Sequence, residues 1–270
     1  MLLSREQPIG IFDSGVGGLT VASAIHQLLP QEQLIYFGDT AHLPYGDKSK
    51  ETVSYYSEKI SEFLLEKQCK VILIACNTAS ANAYDHVKSI VGDKAIVINV
   101  IDPVVENIVR KKGVAHIGVI GTKGTINSQT YPFKIKSFND RIKVSSLATP
   151  LLVPMIEEGF IFDNISNAII HNYLSRDEIN GIDSLILGCT HYPIIKNQIS
   201  KFYNFKVDIL DSAKLVASCL YGILSHQQLL TNKRSGNDKF YVSDYTDYFK
   251  VISRMFFDEE IELEKLDFWK

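Results

Sequence analysis

The sequence predicts an α/β protein made of two related halves with mostly parallel sheets. Three observations carry that expectation. Short β-branched runs alternate with helix-like stretches along the chain, the pattern of strand–helix–strand layers. One run leads into VILIACNTAS (71–80) and a later one into SLILGCTHYP (184–193): an apolar strand, a small residue, a cysteine, then two polar residues. One such ending could be accidental, whereas two imply a site built twice. The length, 270 residues, accommodates one large domain or two modest ones.

In chain order, PIGIF (8–12), QLIYFG (33–38), VILIA (71–75) and AIVINV (95–100) read as strands. Helices are expected over 17–29, 51–67 and about 78–91, the last opened by Cys76. The pattern resumes with strands HIGVIG (116–121), KVSSLA (143–148), SLILG (184–188) and FKVDIL (205–210), with helical stretches between. TNKRSGNDK (231–239) is turn-rich and polar, a surface loop before a last strand KFYVS (239–243) and a final helix. The expected division is 1–99 for the first half and 100–211 for the second, with 212–270 returning to pack on the first. Right-handed crossovers then put every loop after a strand's C-terminal end on one edge.

Composition excludes several classes. Net charge is −3, hydrophobic residues are 46% and charged residues 22%, which argues against nucleic acid or a membrane surface as partner. No apolar run approaches the roughly 18 residues of a membrane helix. Arg5 and Glu6 stand where an export signal would be apolar, so the expected location is the cytoplasm, where thiols stay reduced. The four cysteines, Cys69, Cys76, Cys189 and Cys219, form no CxxC pair. His191 follows Cys189 by two positions, but a lone CxH is a weak metal signal. No P-loop and no GxSxG elbow is present.

The informative stretches fall at expected strand ends. DSGVGG (13–18) is either a tight strand-to-helix turn or a site for an anion or zwitterion, where glycines allow close approach. Asp13 favours a substrate ammonium over a pyrophosphate. In YFGDTAHLPYGDKS (36–49), Pro44 and Gly46 make a turn whose backbone N–H groups could hold a carboxylate, and Asp47 reads as a cap or near-cap residue at a helix start. Cys76 and Cys189 could each be a small buried hydrophobe. As a pair, each apparently opening a helix, they fit thiols tuned by a helix N-terminus into a base or nucleophile. Cys69 and Cys219 lack that setting and read as structural. GTKGT (121–125) starts a helix or donates hydrogen bonds, and Glu157 and Glu158 read first as a solvated face. Two thiols facing one carbon could remove a proton on one side and return one on the other, inverting that carbon.

DSGVGGLTV, YFGDTAHLPYGDKS, ACNTAS, GTKGTINSQTY, LVPMIEEG and LGCTHYP, in that order, resemble the glutamate racemases of the cofactor-independent aspartate/glutamate racemase group. The resemblance runs from about residue 8 to about 256. It implies two flavodoxin-like domains related by a pseudo-twofold axis, with the site between them. It implies interconversion of L- and D-glutamate for peptidoglycan synthesis, without pyridoxal phosphate or metal. By matching motifs, Cys76 would deprotonate D-glutamate and Cys189 L-glutamate. Asp13 would assist Cys76, with Ser14 beside it at the amino group. His191 and Glu157 would assist Cys189. Tyr45 and Gly46 would offer backbone N–H groups to the side-chain carboxylate. Asn77, Thr78 and Thr190 would hold the α-carboxylate and amino group. His42 departs from the arginine common in the family. A racemase acting on aspartate, and a non-catalytic amino-acid-binding or regulatory protein, remain as alternatives. A homodimer fits the resemblance, though no interface can be read from the sequence.

Overall fold

The computed structural model describes residues 3–257 and 260–270. Its first sheet contains β1 (Ile9–Asp13), β2 (Leu34–Gly38), β3 (Val71–Ile74) and β4 (Ile96–Asn99). Its second contains β5 (His116–Gly121), β6 (Lys143–Ala148), β7 (Ser184–Gly188) and β8 (Asp208–Leu210). Two late strands, β9 (Lys239–Val242) and β10 (Leu263–Lys265), join the first sheet beside β2. The strand orders are β10-β9-β2-β1-β3-β4 and β6-β5-β7-β8, and every pairing is parallel.

The shared core order, 2-1-3-4 in the first sheet and 6-5-7-8 in the second, is the flavodoxin-like winding carried out twice. In each half the chain reverses its direction of travel across the sheet between two neighbouring strands, β1/β3 and β5/β7. That switch point is where doubly wound sheets bind ligands, because the loops diverge there. Ser14 follows β1 and Cys76 follows β3, while Thr122 follows β5 and Cys189 follows β7. The fold therefore brings both cysteine motifs to equivalent crevices.

The strands read as continuous apolar runs because helices cover both faces. All five residues of β1, β2 and β7 are buried. The helix Leu19–Leu28 packs on Ser212–His226, which also contacts Asp102–Val109. One apolar cluster thus runs from Ile9 and Ile11 through Val216 and Leu220 to Leu185 and Leu187. The opposite face of the first sheet buries Phe12, Phe37, Ile60 and Leu64 in a separate cluster.

Four expectations need correction. The helix foreseen over 78–91 is two, Asn77–Asn82 and Tyr84–Val91. Asn82 turns its side-chain amide onto the Thr78 carbonyl at 2.9 Å, competing with the helical ladder as short polar side chains do. Cys189 does not open an α-helix. A 3-10 turn, Tyr192–Ile195, precedes the helix Lys196–Phe202, because Pro193 lacks an N–H and disfavours helical backbone before it. The strand foreseen over 205–210 begins only at Asp208, since Asn204 and Phe205 hold left-handed φ of 50° and 58°. The cap of the helix Lys50–Glu66 is Ser49, which accepts from Thr52 N at 3.2 Å, whereas Asp47 ends a 3-10 turn and pairs with Lys123 at 3.2 Å.

Candidate active site

Between the two crevices lies a cavity of about 150 Å³, suited to one small molecule. Its lining includes Ser14, Tyr45, Gly46, Cys76, Asn77, Thr78, Glu157, Cys189, Thr190 and His191. The residues singled out from the sequence therefore converge on one space, with one exception. Asp13 stands behind the wall, fully buried, with Oδ2 accepting from Gly18 N at 2.8 Å and Oδ1 unpartnered. Burial raises its carboxyl above the usual range, although the charge of His191 and the Gly18 N–H pull the other way.

Cys76 caps the helix Asn77–Asn82. Its Sγ accepts from Ala79 N at 3.5 Å and lies 3.6 Å from Ser14 Oγ. Burial, then the charge of Asp13, pushes this thiol up to about 12, outweighing the N–H at the helix start. At neutral pH Cys76 is consequently a protonated thiol. The other cysteine has a different neighbour. Cys189 Sγ lies 3.7 Å from His191 Nδ1, and His191 Nε2 lies 2.9 Å from Glu157 Oε1. Burial alone would lower the imidazole, but its bonds to Cys189 and Glu157 win and raise it to about 10. The imidazolium supplies positive charge beside one sulfur, and Glu157 orients the ring.

Two close approaches across the cleft require glycine. A Cβ on Gly17 would stand 2.5 Å from His191 Nδ1 and 2.6 Å from Thr190 Oγ1. One on Gly46 would stand 2.6 Å from Thr122 Cβ. Around the latter contact, Thr78 Oγ1 lies 2.8 Å from Thr122 Oγ1 and 3.2 Å from Thr125 Oγ1. Thr122 also caps its helix through Thr125 N, as the helix-start reading of GTKGT expects, and the same residue lines the cavity. The wall also includes Leu43, Pro44, Thr149, Pro150, Val153 and Pro154; of these, Val153 and Pro154 belong to the LVPMIEEG motif.

Sequence reasoning missed the support beneath Tyr45. Asp39 is fully buried and gathers donors from distant parts of the chain. Tyr45 donates its hydroxyl to Oδ2 at 2.7 Å, Ser243 donates to Oδ1 at 2.7 Å, and Trp269 Nε1 donates to Oδ1 at 2.7 Å. His42 Nδ1 lies 3.1 Å from both oxygens, and its ring stacks on Tyr56 with centroids 4.2 Å apart. His42 therefore belongs to the scaffold of this loop. Asp39 within the quoted GDTAH stretch was the available signal, but its partners at 243 and 269 had none.

Known proteins resemble this chain over most of its length. The profile of the Asp/Glu/hydantoin racemase family matches residues 17–220. A glutamate racemase of Chlorobaculum parvum is 42% identical over 260 residues, covering 96% of this chain and 95% of that one. The crystal structure of glutamate racemase from Francisella tularensis, in complex with D-glutamate, superposes with a TM-score of 0.91 at 39% identity, covering 98% and 99% of the two chains. An aspartate racemase homologue from Pyrococcus horikoshii reaches a TM-score of 0.51 at 20% identity, a likeness of fold alone. With a doubled sheet winding, a cysteine at each switch point and this extent of identity, the chain belongs to the Asp/Glu/hydantoin racemase family.

Proposed function

We propose that this protein interconverts L- and D-glutamate by two-base proton transfer and so supplies D-glutamate for peptidoglycan synthesis. The observation that carries this reading is the meeting of Cys76 and Cys189, from opposite halves, in the wall of one cavity. In the D-to-L direction, Cys76 acts as thiolate and takes the α-proton. The electron pair stays on the α-carbon, delocalised toward its carboxylate, and Cys189 delivers a proton to the opposite face. The L-to-D direction reverses these roles. No atom changes oxidation state.

The electrostatics support this division of labour. A protonated Cys76 suits the acid in the L-to-D direction, and the cation at His191 suits charge on Cys189. For the reverse direction Cys76 must lose its proton, and Asp13, itself raised by burial, is the neighbouring base. Ser14 would meet the amino group, Asn77, Thr78 and Thr190 the α-carboxylate and amino group, and the leading N–H groups of the 3-10 turn at Tyr45 and Gly46 the side-chain carboxylate.

We also propose a division of the chain into 1–99 with 212–270 and 100–211, supported by β9 and β10 pairing into the first sheet. No helix among the described residues is long and apolar enough to cross a membrane. All four cysteines are free, and a mechanism needing two thiols suits a reducing cytoplasm.

The test is incubation with D-glutamate in deuterated water, without added cofactor, beside Cys76→Ala and Cys189→Ala. Loss of optical rotation with deuterium at the α-carbon, abolished by either substitution, is the expected result. Retained rotation with wild-type protein would sink the reading. Turnover of D-aspartate in its place would point to the aspartate-specific branch.

A further inference from the structure

One donor in the cavity wall is buried and unused. Asn77 directly follows Cys76, is 2% exposed, lines the cavity, and has no partner for its amide Nδ2. Its other amide atom is held from the opposite half of the molecule. Tyr131, at the start of the helix Thr130–Phe138, places its hydroxyl 2.8 Å from Asn77 Oδ1. The Tyr131 ring lies beside the second cysteine motif, since a Cβ on Gly188 would stand 3.5 Å from its Cε2. One side chain thus bonds to the first motif and lies beside the second.

The direction of this bond follows from chemistry. Tyr131 is fully buried, and burial, with Asp102 and Cys189 nearby, pushes its phenol well above the ordinary value. The hydroxyl keeps its proton and needs an acceptor. Asn77 Oδ1 is its one hydrogen-bond partner among the described residues. Turning the amide over would strand the phenol proton and present a carbonyl oxygen to the cavity. An unsatisfied buried donor opposes that rotation.

We propose that Tyr131 is a positioning residue for the reaction: it fixes the Asn77 amide with its N–H groups toward the cavity, where they receive a substrate carboxylate beside Cys76. This inference rests on the racemase reading. It adds a cross-cleft element, because the donor on the first half is correctly turned only while the second half is docked against it. Opening of the cleft would release the amide, so recognition of the carboxylate becomes linked to closure.

The experiment is a double-mutant cycle on the full chain, with initial rates from both enantiomers. Tyr131→Phe removes one oxygen and keeps the ring. It should raise KM for D- and L-glutamate about five- to tenfold, the size of one hydrogen bond, with a smaller change in kcat. In an Asn77→Ala background the same substitution should change nothing further, since the role acts through Asn77. Asn77→Asp supplies an independent reading of orientation. It should raise KM more than Asn77→Ala, because a carboxylate would then face the substrate's carboxylate. Unchanged KM in Tyr131→Phe, additive effects in the cycle, or an Asn77→Asp variant that behaves like wild type would each overturn the inference while leaving the racemase reading intact. A wild-type protein inert toward both enantiomers would overturn both.

Discussion

Cys76 and Cys189 occupy matching places in the two halves, yet their surroundings are unlike. Cys76 is held by burial and by Asp13 at about 12, while Cys189 faces the imidazole of His191 at 3.7 Å. The thiolate is the species that reacts with alkylating agents. At pH 8, iodoacetamide should therefore label Cys189 before Cys76 in the free protein, and His191→Asn should slow that labelling. Peptide mass mapping over time measures the order, and earlier labelling of Cys76 would contradict it. His191 also predicts a pH dependence of stability. Its folded value of about 10 stands above the ordinary imidazole value of about 6.5. The stability it contributes is then full below about 6.5 and is lost as pH rises toward about 10. The difference in melting temperature between wild type and His191→Asn should shrink across that window. A difference that widens with pH would mean that the imidazole is buried uncharged.

Elements carry the site through contacts that a single atom can disturb. The turn after β1 lies so close to the Cys189 loop that a methyl at Gly17 would overlap His191 and Thr190. Gly17→Ala must push one loop away from the other, and misplacement of about 1 Å in a catalytic constellation costs on the order of 100-fold. We expect kcat/KM to fall by about that factor, read from racemisation rates, and activity within a few-fold of wild type would show that the loops yield freely. The Tyr45 loop depends likewise on the C-terminal segment. Trp269→Phe removes one donor from buried Asp39 and should lower unfolding free energy by about 1–3 kcal/mol, measured by urea denaturation. An unchanged midpoint would show that another donor takes its place. These same contacts mark the limit of what could be read in advance. HIGVIG and SLILG were legible to the residue because short apolar runs bounded by small or polar residues leave little ambiguity. β10 escaped because LEK (263–265) is short, polar and at a sheet edge. The joining of Asp39 to Trp269 spans 230 positions and leaves no local trace. The cysteines were legible because their pattern occurs twice, and the family resemblance named their different neighbours, but the 3-10 turn that follows Cys189 in place of an α-helix was not foreseen.

For the molecule as a whole, the decisive feature is that both thiols are buried in a cleft between the halves. Cys76 and Cys189 are 5% and 7% exposed, so a charged substrate reaches both sulfurs most directly if the halves part. The contacts that would break are identifiable. Thr78 meets Thr122 and Thr125, Tyr131 meets Asn77, Thr130 Oγ1 donates to the Ala81 carbonyl at 3.1 Å, and the Asn82 amide reaches the Gly124 carbonyl at 3.3 Å. At the rim, the Lys123–Asp47 pair is more than half exposed on both sides, so it adds little and is screened by salt. Beyond the apolar cluster that the two halves share, the lips of the cleft are held by a few neutral hydrogen bonds and two glycine contacts, an arrangement of modest strength that thermal motion can open. A bound dicarboxylate would supply the missing attraction by bridging N–H groups on both walls. Excluding water then strengthens every donor around the developing α-carbanion. Saturating D-glutamate should accordingly slow amide hydrogen exchange in Asn77–Asn82 and Lys123–Asn127 together, while exchange in β1 and β7 stays as it was. It should also contract the solution scattering profile. Unaltered exchange in both helices with identical scattering curves would mean that the halves are permanently docked, and the route of substrate entry would have to be sought at the Leu43–Gly46 loop, which also lines the cavity.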